Sequence, residues 1–129
     1  MHQNFKVMLS QRLIFSETAK IAGIDNVPAS LHVMSNLQQL QEVLESLEKL
    51  LGVEIIVTSG YRCVELNRIV GGVENSWHTL GLAADIKVAN TGRCTLSDLK
   101  SLCKELRKTR FHEVVEHETY IHIAIKPYV

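Results

Sequence analysis

Between residues 36 and 51 the apolar side chains Leu37, Leu40, Val43, Leu44, Leu47, Leu50 and Leu51 fall at three-four spacing, with Gly52 directly after them. That spacing predicts one amphipathic helix with Asn36 as its cap and Gly52 as its stop. A helix of this kind must bury its stripe. The next segment, residues 53–58 (VEIIVT), is rich in β-branched residues and predicts a buried strand for it to pack on.

Other segments extend the pattern. Ser16 reads as the N-cap of a short helix ending at Gly23, followed by the loop GIDNVPAS. Residues 59–81 read as a long loop in which 62–69 add a helical turn. Residues 83–88 (AADIKV) predict a second strand, and Leu96, Leu99, Leu102, Cys103 and Leu106 a second helical face capped by Thr95 or Ser97. The chain then predicts a hairpin: a strand over 111–115, a turn over 116–119 and a strand over 120–125. The fold class is therefore α+β, a mainly antiparallel sheet with helices packed on one side. At 129 residues with no repeat or linker-like tract, a single domain over 1–129 is expected.

Composition excludes some functions. The chain carries 14 basic and 14 acidic side chains, so it lacks the positive footprint of a nucleic-acid binder. No run approaches the length of a membrane span, and the N-terminal stretch lacks the apolar core of a secretion signal. Cys63, Cys94 and Cys103 form no paired or C-x-x-C arrangement, and are read as inert free thiols suited to a reducing compartment.

Three polar residues resist the packing pattern. In residues 120–125, Ile121, Ile123 and Ile125 share one face, leaving His122 on the other with Tyr120 and Ala124. In 83–88 the same alternation separates Asp85 from Ala84, Ile86 and Val88. His78 lies in the loop before that strand. Two imidazoles and one carboxylate suit a catalytic zinc site with a fourth position for water, although alternation alone does not make the two strands neighbours.

The run TSGYRCVELNRIVGGVENSWHTLGLAADIKV, with YIHI later, resembles the zinc D-Ala-D-Ala carboxypeptidase and phage L-alanyl-D-glutamate endolysin family of peptidoglycan peptidases. The family pattern runs SGYR, N, VGG, S-Q-H-x-x-G-x-A-x-D and a final W-x-H, and the lead-in LIFSETAKIAGIDNVP is similar as well. The resemblance implies a Hedgehog/DD-peptidase-like fold and makes His78, Asp85 and His122 zinc ligands. It gives Arg62 the task of holding a substrate carboxylate or carbonyl, with Tyr120 beside the substrate and Ser76 either hydrogen-bonding near the site or capping its loop. Trp77 stands where the family has Gln, Tyr120 where it has Trp, and Cys63 where it has Ser.

The general base is expected at Glu116, with Glu118 second, because the family's position three before the last His is Thr119 here. A three-residue turn over 117–119 would pair Glu116 with Tyr120, on the face of His122. His112 and His117 are read as surface histidines. The resemblance implies a zinc metallopeptidase cutting a D-Ala-D-Ala or L-Ala-D-Glu bond of a peptidoglycan stem peptide; the chain is read as a monomer made in the cytoplasm, either a lysis enzyme released to the wall by a holin or a host murein-recycling enzyme. The alternative is a catalytically silent, zinc-stabilised binding or assembly module of the same fold.

Overall fold

The computed structural model describes residues 10–28, 30–89 and 92–127. Ala29, in the predicted loop, and the extreme N-terminus lie outside them. Three helices, α1 (Gln11–Ile14), α2 (Glu17–Ala22) and α3 (Leu31–Leu51), precede strand β1 (Ile55–Ser59). Helix α4 (Val64–Ile69) and a 3₁₀ turn (Trp77–Leu80) follow, then β2 (Ala83–Val88), α5 (Leu96–Leu106), β3 (Phe111–Glu116) and β4 (Ile121–Ile125). The strands form one antiparallel sheet in the order β1-β2-β4-β3.

Helix α3 starts six residues earlier than the leucine spacing predicts, with its cap at Ser30 and not Asn36. Ser30 is its cap, accepting from the backbone N–H groups of His32 and Val33, and Gly52 ends it at φ +70°. Asn36 is not a cap: it is buried within α3 and donates to the Leu80 carbonyl, tying the helix to the 3₁₀ turn. The leucine stripe of α3 packs with Leu99 and Cys103 of α5 against Ile55, Ile86, Ile121 and Ile123 of the sheet. Thr95 caps α5 in a reciprocal box with Asp98. Burial pushes the Cys103 thiol up to about 12, so it remains protonated at neutral pH.

Strand β1 is an edge, and α1 covers it. Arg12 donates to both carboxylate oxygens of Glu48 on α3 and to the Ile55 carbonyl, while Glu48 accepts from the Ile55 N–H. The hydrogen bond from Arg12 is the main reason that the Glu48 carboxyl lies below its ordinary value, burial opposing it and the Ile55 N–H adding to it. A carboxyl lowered on folding stabilises the native state above its unfolded pKa, and that contribution disappears as pH falls through the folded value. Glu48→Gln is expected to lower stability at neutral pH by about 1–2 kcal/mol. In urea titrations the gap to the native chain should narrow in acid; an equal gap at both pH values would contradict this.

Candidate metal centre

The sheet answers whether the two strands meet. β2 and β4 are direct neighbours, and the register sets Asp85 opposite His122. Directly opposed residues share a face, so both side chains leave the isoleucine layer together. Ser59 of β1 extends the same row opposite Asp85.

His78 arrives from the 3₁₀ turn, whose cap is Ser76: its hydroxyl accepts from the His78 N–H and its carbonyl from the Thr79 hydroxyl. Ser76 therefore serves the turn that aims His78. The imidazole is buried, and its Nδ1 lies 2.8 Å from the Gly60 carbonyl. A carbonyl only accepts, so Nδ1 donates and Nε2 carries the lone pair. That Nε2 lies 3.4 Å from Asp85 Oδ1, and His122 Nδ1 lies 2.9 Å from the same oxygen.

One ligand atom from each of His78, Asp85 and His122 lies within 4.8 Å of the others, and the group could hold a metal ion. The donors fit one: two ring nitrogens and a carboxylate oxygen converge, the first with its tautomer fixed from behind. Burial alone would raise the Asp85 carboxyl, but hydrogen bonds from His122 and His78 outweigh it and hold it far below the ordinary range. Burial would lower the His122 imidazole, but Asp85 and Glu113 outweigh it and raise it.

Arg62 is held rather than free. Its Nε donates to Ser59 Oγ and its Nη1 to Asn67 Oδ1, leaving Nη2 3.9 Å from Asp85 Oδ2. Asn67 is buried and donates to the Val73 carbonyl. A Cβ at Gly72 would stand 2.0 Å from Asn67 Oδ1, which is a physical reason for glycine there. Arg62 also lines a cavity of about 370 Å³ with Phe15, Glu17, Thr58 and Ser59. Behind it, buried Asn26 donates to the Ile14 and Tyr61 carbonyls and accepts from the Cys63 N–H. Cys63 caps α4 through its sulfur, the job a Ser hydroxyl would do. Trp77 sets its ring edge-on to His112 at 4.6 Å and packs against the core.

The hairpin differs from the sequence reading. Phe111 lies opposite Ile125, but the register shifts before Glu113, so Val115 faces His122 and Glu116 faces Ile121. A one-residue shift exchanges the two faces of a strand. The expected pairing of Glu116 with Tyr120 is therefore not formed, since the turn runs over 117–120, closed by the His117 N–H on the Tyr120 carbonyl. Glu116 instead forms an ion pair with Lys104 of α5 at 2.8 Å, and Glu118 is exposed in the turn. Tyr120 is half-buried and stacks on His117 at 4.3 Å. Glu113 takes the place beside the centre, its Oε1 2.9 Å from His122 Nε2.

Among the residues that the sequence reading passed over, Gly60, Asn26, Asn67 and Glu113 matter most. Asn67 falls within the SGYR-N-VGG spacing, and a buried Asn there was the available signal. Glu113 left none, because its face depends on the register shift. A family model described as Peptidase M15 matches residues 6–124. No curated protein matches the chain.

A Cβ on Gly60 would lie 2.3 Å from the Leu13 carbonyl oxygen, so the backbone that presents the carbonyl to His78 must move in Gly60→Ala. Melting temperature and zinc affinity are both expected to fall, with the overpacking worth about 1–3 kcal/mol. Unchanged values for both would refute the role of this carbonyl.

Proposed function

The chain belongs to the Peptidase M15 family and is therefore a peptidase; on that premise we propose that it is a zinc-dependent hydrolase of peptidoglycan stem peptides. The observation that carries this is the convergence of His78, Asp85 and His122 beside a braced arginine. Zinc held by those three side chains would supply Lewis-acid polarisation of the scissile carbonyl and make water acidic enough to attack at neutral pH.

The other steps belong to the chain's own groups. Arg62, with Nε and Nη1 already engaged, directs Nη2 at the site and holds a substrate carboxylate or carbonyl oxygen. The cavity beside it gives a peptide room to lie against Ser59 and Thr58. Tyr120 acts as a polar wall on the substrate side, and Ser76 acts through the turn that carries His78. In the hydrolysis, the water oxygen forms a bond to the carbonyl carbon, the carbon–nitrogen bond breaks, and the water proton ends on the leaving amine.

That proton is assigned to Glu116, with Glu118 second. Glu116 has only an exposed ion pair with Lys104 to release, a contact worth about 0–1 kcal/mol. The register sets Glu116 opposite Ile121, on the other face of the sheet from His122, so this assignment requires the end of the hairpin to rearrange when substrate binds. The substrate bond is proposed as D-Ala-D-Ala or L-Ala-D-Glu, the protein as a monomer, and its route to the wall as release through a holin. No described helix is long and apolar enough to cross a membrane.

Digestion of purified peptidoglycan, read by new amino termini and zinc content, tests the proposal. Native protein should bind zinc and release peptide, His122→Ala should lose both, and Glu116→Gln should keep zinc while turnover falls about 100-fold or more. Zinc binding by the native chain without new amino termini would replace the hydrolase with a zinc-stabilised binding module.

A further inference from the structure

The two imidazoles of the centre are each gripped from behind, by different chemistry. His78 donates Nδ1–H to a backbone carbonyl. His122 meets a carboxylate instead: its Nε2 lies 2.9 Å from Glu113 Oε1 while its Nδ1 lies 2.9 Å from Asp85 Oδ1. Glu113 contacts none of the other centre residues among the described contacts.

Resting on the metal reading above, we propose that Glu113 is a positioning residue, which fixes the tautomer and ring angle of His122 so that Nδ1 presents its lone pair to the metal. A neutral imidazole carries one N–H. With the hydrogen on Nε2 it is donated to Glu113, and Nδ1 is free to ligate. With the hydrogen on Nδ1, the Nε2 lone pair would face an anionic oxygen and the metal-facing nitrogen would be blocked. Asp85 Oδ1, 2.9 Å from Nδ1, favours the second arrangement; Glu113 opposes it by accepting Nε2–H, which frees Nδ1 for the metal and strengthens the ring as a donor, an outer contact whose loss typically weakens metal binding 10–100-fold.

The backbone places Glu113 for this role. The register shift between Phe111 and Glu113 lets Phe111 stay in the core while Glu113 and Val115 turn to the face of His122. An irregularity that re-aims one side chain beside a site is what an extra residue in a strand accomplishes. The Glu113 side chain is 39% exposed, so shortening it opens no cavity in the core.

Three proteins test this: native, Glu113→Ala and Glu113→Gln, the last retaining a carbonyl acceptor for Nε2–H. Zinc affinity is measured by competition with a chromophoric chelator, and the His122 tautomer by nitrogen NMR of the zinc-free protein at a pH where the ring is neutral. Glu113→Ala should weaken zinc by about 10–100-fold and shift the neutral ring toward Nδ1–H, which Asp85 accepts. Glu113→Gln should recover most of the affinity, the Nε2–H tautomer and most of any turnover. Native-like zinc affinity in Glu113→Ala would overturn the proposal. So would a Glu113→Gln protein that holds zinc like the native chain yet is as inactive as Glu113→Ala, since Glu113 would then carry the reaction's proton. If the native protein binds zinc but cleaves nothing, the affinity and tautomer results still decide the role of Glu113.

Discussion

Asp85 and His122 stand opposite each other on adjacent antiparallel strands, and the centre depends on that single register. Directly opposed side chains are about 5 Å apart at Cβ, which leaves a carboxylate and an imidazole little choice but to meet. A slip of one residue would send either to the isoleucine layer. The fully buried Ile86, Ile121 and Ile123 therefore hold the register as well as the core, because the slip that buried Asp85 would expose them.

The third member of the group needs a different device, since His78 is on no strand. Its position depends on the Gly60 carbonyl, which leaves the end of β1 where Leu13 closes over it too tightly for any side chain. Leu13 belongs to α1, and α1 is fastened by Arg12 to Glu48 and Ile55. The N-terminal helix thus reaches the centre through two contacts without offering a functional group of its own. Arg62 is prepared in the same manner: Ser59 and Asn67 use two of its nitrogens and leave the third turned toward Asp85.

Much of this was legible in the sequence. Alternation in AADIKV and YIHIAI put Asp85 and His122 off the apolar faces, and the spacing of the leucines gave the helix that covers the opposite side. What alternation lacks is information about neighbours, so the pairing of β2 with β4 came only from the fold. The Asn36 cap failed because a polar side chain at the margin of a leucine stripe can serve as a cap or as a buried tie to another segment, and the Leu80 carbonyl decided the latter. The hairpin failed for a related reason. A bulge leaves no mark in residue type, yet it exchanged the faces of Glu113 and Glu116.

The most direct measurement is a crystal structure of the zinc-loaded protein with anomalous data collected on both sides of the zinc absorption edge. One ion bound by His78 Nε2, an Asp85 oxygen and His122 Nδ1, with a fourth position open to solvent, is the predicted result. An ion held elsewhere, or none at saturating zinc with the three side chains still joined only to one another, would contradict the account.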